Sequence, residues 1–144
     1  MSATLIKETK DSITIQITIP KSNSILEMEE FIQAGVNKVG TLATQKALEH
    51  FDTDGSPIKF GETKYTSKGQ FPKEYQTPYG SATVSRHVYQ TAEGGTTYCP
   101  MEIDAKIIIT STPKFAKTLS SKYAEFGAGR VMIDLEENQG ATLY

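Results

Sequence analysis

Cys99 is the only cysteine in the chain, and His50 and His87 are the only histidines. A lone thiol cannot close an internal disulfide, and this set falls short of a structural zinc site's tetrahedral ligands. Nucleophilic catalysis needs a base within hydrogen-bond reach of the nucleophile. Cys99 precedes Pro100 in an extended stretch with no such partner motif, so it reads as a small hydrophobe. His87, in Arg86-His87-Val88-Tyr89-Gln90, falls on the strand face opposite Val84 and Val88 and reads as structural or solvent-facing. The run Asp52-Thr53-Asp54-Gly55-Ser56-Pro57 hints at a calcium loop. In an EF-hand register its first ligand position falls on His50 and its last on Gly61, so key carboxylates are missing and the run reads as a turn. The adjacent pairs Glu29-Glu30 and Glu136-Glu137 diverge on a helix and cannot grip one ion together. Asp134 and Glu137 can share a face, which reads as a solvated helix surface. Gly94-Gly95 and Gly127-Ala128-Gly129 lack the flanks of a phosphate-binding loop. The residues therefore point to no catalytic site, no metal and no cofactor.

The elements that position these residues follow from periodicity. Ile13, Ile15, Ile17 and Ile19 alternate with polar residues, the pattern of a half-buried strand over 12–19, and Pro20 ends it. Ser24 and Glu27 have capping-box spacing. A helix is expected from there to about Phe51, with Ile25, Met28, Ile32, Val36, Val39, Ala43, Ala47 and Phe51 on one face. Gly35 and Gly40 weaken it and mark either a close approach or a break. From Ile58 to Pro100 the chain reads as β. A hairpin is expected with strands 70–77 and 81–90 around Thr77-Pro78-Tyr79-Gly80, directing Ala82, Val84 and Val88 to the core. A second turn at 92–95 leads to a strand over 96–99, and Ile107, Ile108 and Ile109 read as a short buried run. Thr112 can cap a helix that starts at Pro113. Its inward stripe is Phe115, Ala116, Leu119, Tyr123 and Phe126, and Gly127 stops it. A second short helix fits 128–138, with Val131, Met132 and Leu135 inside. Two short helices joined at a glycine fit a plain helical hairpin or the opening of a helix-turn-helix unit.

The fold class expected is α+β: a leading strand and long helix over 1–57, a small antiparallel sheet with a hairpin over 58–111, and a C-terminal helical pair over 112–144. A chain of 144 residues with 38% hydrophobic and 22% charged residues suits one domain with one modest core. No apolar run is long enough to span a bilayer, and the N-terminus lacks a secretory pattern, so a cytosolic location is expected. The net charge of -2 is unevenly spread. Residues 59–122 carry nine Lys/Arg against five Asp/Glu, an excess of +4, while the segments on either side are each -3. A basic middle can face phosphate.

Three blocks carry a family resemblance: Tyr79-Gly80 through Val84 to Arg86-His87-Val88-Tyr89-Gln90; Gly94-Gly95 to Tyr98-Cys99-Pro100-Met101-Glu102; and Thr112-Pro113-Lys114-Phe115-Ala116-Lys117 to Lys122-Tyr123-Ala124. In order and spacing, the stretch from Phe51 to Gly140 resembles the ISKra-type bacterial insertion-sequence transposases. The resemblance implies an N-terminal β-rich and helix-turn-helix region, followed in full-length members by a ribonuclease-H-like domain whose acidic triad binds two divalent metals. The chain ends at Tyr144, before any such domain. Where members continue from Asn138 with histidine, glycine and arginine, this sequence reads Gln139-Gly140-Ala141. No catalytic residue carries over.

The function expected is that of a truncated transposase N-terminal region: DNA-associated, in transposon end binding or regulation, and not an enzyme by itself. Candidates for DNA-backbone contact are Lys73 and Arg86 on the hairpin and Lys114, Lys117, Lys122 and Arg130 near the helical pair. Such contacts position a protein on DNA without reading sequence. The alternatives are a dimerisation or interaction module acting on itself or on a full-length transposase, and a relic without a role. Partners are then weakly and non-specifically bound DNA and another copy or relative of the chain, with no membrane.

Overall fold

The computed structural model describes residues 2–126. The second C-terminal helix expected over 128–138 lies outside them, and so does Arg130. The architecture is α+β, with a long helix, a two-stranded and a four-stranded antiparallel sheet, and short helices toward the C-terminal end.

The leading region holds two strands rather than one. β1 (Ala3–Glu8) pairs antiparallel with β2 (Ile13–Ile17). The link between them is a tight turn in which the Thr9 hydroxyl accepts from the amides of Asp11 and Ser12. Such a side-chain turn lets a hairpin close without glycine or asparagine. With no glycine, proline or asparagine in that turn, there is no strong hairpin signal ahead of β2.

Helix α1 (Ile25–His50) starts where the cap spacing places it: the Ser24 hydroxyl accepts from the Glu27 amide at 3.3 Å. The reciprocal half of the capping box is absent, because the Ser24 amide donates to Ser22 Oγ instead. Gly40 does not break the helix. A Cβ there would overlap the ring of Tyr79, so the glycine marks a close approach of helix to hairpin.

Strands β3 (Ile58–Phe60), β4 (Thr63–Thr77), β5 (Gly80–Thr91) and β6 (Gly94–Tyr98) form an antiparallel sheet in that order. The β4–β5 hairpin turns at Pro78-Tyr79, with Thr77 opposite Gly80. Ala82 and Val84 are buried as expected, but Val88 is only half-buried, and Tyr89 is fully buried. The reason is a bulge. Ser67 pairs with Tyr89 and Gln70 with His87, so Lys68 and Gly69 together oppose Val88. Gly69 takes φ 115°, which the bulge requires. A bulge bends the strand and sharpens its twist, and here the packed side of β5 changes with it.

The core sits between α1, the sheet and α2 (Pro100–Asp104), where Leu48, Tyr75, Val84 and Met101 pack together. α2 is not among the expected elements; Pro100, expected to close the β-rich region after a strand over 96–99, starts a helix, the position proline favours. Beyond it, the expected buried run at 107–109 is a turn. Ile107 packs against the core, but Ile108 and Ile109 are exposed, Ile109 at 88%. The segment 110–112 runs along the edge of β4 instead: Gln76 N donates to Thr110 O, and Thr112 N to Gln76 O. Reaching that edge puts Ile109 at φ 61°, a left-handed conformation that β-branched residues resist. Ile109→Asn is therefore expected to stabilise the protein by about 1 kcal/mol, since asparagine tolerates this conformation and little packing is lost. A higher urea midpoint would show it.

Helix α3 (Pro113–Phe126) begins at Pro113 as expected and buries Phe115 completely. Thr112 does not cap it with its side chain. Its Oγ1 is buried without a hydrogen-bond partner among the described residues, while its carbonyl accepts from Ala116.

Candidate functional site

β4 and β5 present alternate residues to the same face, so Lys73, Tyr75, Ala82, Val84 and Arg86 all point toward α2. Burying a guanidinium there requires partners, and four residues supply them to one another. Arg86 Nε donates to Tyr75 Oη at 2.8 Å, and an Arg86 terminal nitrogen donates to Phe71 O at 2.8 Å. Tyr75 Oη donates to Glu102 Oε2 at 2.6 Å, and Lys73 Nζ donates to the same oxygen at 2.7 Å. The other Arg86 terminal nitrogen lies 3.9 Å from that oxygen. Burial, with the Glu102 hydrogen bond, pushes the Tyr75 hydroxyl far above its ordinary value, so it stays a donor. Burial also acts to raise the Glu102 carboxyl, but the hydrogen bonds from Lys73 and Tyr75 outweigh it and hold the carboxyl below its ordinary value.

The network locks α2 onto the sheet, and its members are committed to one another. This corrects the placement expected for Arg86. It is 9% exposed and its nitrogens point inward, so it does not present a cation to phosphate. Lys73 is more accessible but is ion-paired with Glu102. Tyr75 and Glu102 escaped the sequence reading. Arg86 shares strand parity with Ala82 and Val84, and a charge on a core face signals a buried partner.

His87 lies on the opposite face, as expected. Its Nδ1 is 2.8 Å from Ser67 Oγ, its ring covers Gly55, and its backbone amide donates to the Asp52 carboxylate. The segment after α1 thus closes over the edge of β5, where the Tyr89 hydroxyl donates to Ser56 O and is 2.7 Å from Thr53 Oγ1. The DTDGSP run is a turn, closed by Asp54 Oδ1 accepting from the Ser56 amide. Burial pushes the Cys99 thiol up, which disfavours the reactive thiolate. Among the described residues no group of three His, Cys, Asp or Glu converges to hold a metal ion.

The exposed cations lie elsewhere. Lys114 and Lys117 are exposed one turn apart on α3, and Lys122 is half-buried further along it. On the sheet, Lys59 of β3 stands directly opposite Lys64 of β4, both exposed, with Lys68 exposed at the bulge. Lys59, Lys64, Lys114 and Lys117 form no ion pair with a described carboxylate.

No helix among the described residues is long and apolar enough to cross a membrane. Comparison with protein-family models, with curated proteins and with solved structures finds no match to this chain.

Proposed function

We propose that this chain is the DNA-associated, non-catalytic part of an insertion-sequence transposase, acting in the bacterial cytoplasm in transposon end binding or in regulation of transposition. The observation that carries the reading is the Lys59–Lys64 pair. Like charges directly opposite each other across a sheet destabilise it, and a polyanion relieves that repulsion. Lys59 and Lys64 of β3–β4, with Lys114 and Lys117 of α3, none of them ion-paired with a described carboxylate, supply phosphate contacts without base readout. The three-block resemblance gives the polyanion its identity as DNA.

Weak, salt-sensitive binding with little sequence preference is expected, with a dissociation constant of roughly 10⁻⁴ to 10⁻⁶ M. A mobility-shift titration at low and moderate salt, with a terminal-repeat duplex and a scrambled one, measures it. Replacing Lys59, Lys64, Lys114 and Lys117 by alanine should weaken both duplexes equally. The salt slope should fall by about 0.9 for each phosphate contact removed. No binding at low salt, or an unchanged slope in the variant, defeats the reading. Magnesium or manganese should produce no cleavage, since no catalytic residue carries over from the resembled family and no metal-holding acidic group converges among the described residues.

A further inference from the structure

β4 and β1 guard their open edges. Along β4, the outer edge between the segments covered by β3 and by 110–112 carries Lys68, Pro72, Lys73 and Glu74. β1 carries a bulge between Leu5 and Lys7, and the charges of Lys7 and Glu8. Charges, proline and bulges are the devices that stop an edge from recruiting another strand. β2 has none of them. Its only strand partner among the described residues is β1. From Ser12 to Pro20 it contains no charge, no bulge and no internal proline or glycine.

Beside that edge lies an apolar groove of about 590 Å³, with Val36, Val39, Gly40 and Ala43 of α1 as floor and Ile17 and Tyr79 as walls. No β1 residue lines it, so it opens on the outer side of β2. The volume would suit a small molecule, but such sites carry a few convergent polar groups to orient their ligand. Here Thr44 already donates to Gly40 O within the helix. Ile13 and Ile19 of the uncharged run, and Ile32 and Val36 of α1, are each more than a third exposed. A groove of this kind beside an open edge suits an uncharged strand with an apolar side chain at every second position.

We infer that β2 pairs antiparallel with β2 of a second copy of this chain, converting two hairpins into one four-stranded sheet with both α1 helices on the same side. The strand is its own complement. With the two-fold axis at Gln16, the centre of the uncharged run, Ile13 faces the partner's Ile19, Ile15 faces the partner's Ile17, and Gln16 faces its own copy. The pairing is isologous, as most dimer interfaces are. A two-stranded hairpin alone is marginal in water, whereas four strands with one apolar face are not. The pairing is independent of DNA binding, and each can fail without the other.

Gln16 is exposed, and its partner within the hairpin is the neutral Thr4, so the monomer tolerates a charge there. Sedimentation equilibrium of the full chain should show a monomer–dimer equilibrium across roughly a hundredfold range of concentration. Gln16→Lys and Gln16→Glu should each weaken it at least about tenfold, because like charges meet at the axis. Circular dichroism should show both variants folded. Mixing the two should restore association as a heterodimer. A wild-type chain that stays monomeric, single variants that dimerise unchanged, or a mixture that fails to associate would each overturn the pairing.

Discussion

Glu102→Ala is expected to destabilise the protein by about 2–3 kcal/mol, lowering the melting temperature by roughly 10 °C. The variant leaves the Arg86 guanidinium, 9% exposed, without its carboxylate and strips the Tyr75 hydroxyl of its acceptor. Removing one member of a fully buried pair costs about 3–5 kcal/mol; the lower figure here reflects the 24% exposure of the Glu102 side chain, which lets water screen part of the loss. Lys73→Met should cost no more than about 1 kcal/mol, because a third of that side chain is in solvent. Glu102→Gln isolates the charge. Native Glu102 titrates below its ordinary value of 4.5, so the unfolded chain binds the proton more tightly. Its stabilisation is complete above 4.5 and is lost as pH falls through the depressed native value. The difference in stability between wild type and Glu102→Gln should therefore shrink on acidification below 4.5 and be flat at neutral pH. Urea titrations across that window measure it; a constant difference would show that the carboxylate is not held by the network.

Gly40→Ala is expected to destabilise by about 1–3 kcal/mol net, although alanine is the better helix former by up to about 1 kcal/mol. The added methyl collides with Cγ and both Cδ atoms of the Tyr79 ring. Those atoms lie at the base of the side chain and cannot move without the hairpin turn. Thr41 Oγ1, which donates to Asn37 O at 2.8 Å and lies 3.4 Å from Tyr79 O, tightens the same junction. The control is Tyr79→Ala, which removes the obstacle. In that background Gly40→Ala should become neutral or stabilising, giving a coupling energy of about 1–3 kcal/mol in a double-mutant cycle. Simple additivity would mean that the helix and the turn do not touch as described.

The sequence was informative where one local rule decides the outcome. The Ser24 cap, the start of α3 at Pro113 and the turn at Pro78-Tyr79 depend on neighbouring residues, and all three are observed. It was uninformative where distant residues decide. Nothing local marks β1 as a strand: only pairing with β2 makes it one. The bulge opposite Val88 is set by β4 yet changes burial on β5, and that interrupts the alternation. Ile107 to Ile109 look like core, but the chain must turn there to lay 110–112 along β4. The polar network shows the same division. Lys73 and Arg86 were visible as cations, whereas their burial with Glu102 depends on a helix that only the fold reveals.

The closure of the segment after α1 over the edge of β5 has a kinetic consequence. The β4–β5 hairpin joins residues on either side of a tight turn, so it can form early from contacts near in sequence. The Asp52–His87 hydrogen bonds span 35 residues, and the Thr53–Tyr89 contact spans 36. Contacts of that separation carry the larger loop-closure entropy and tend to form late. Bonds made after the rate-limiting barrier leave the folding rate nearly unchanged and slow the reverse reaction instead. The segment at 52–56 thus acts as a fastener, setting how long the folded chain lasts rather than how quickly it is reached.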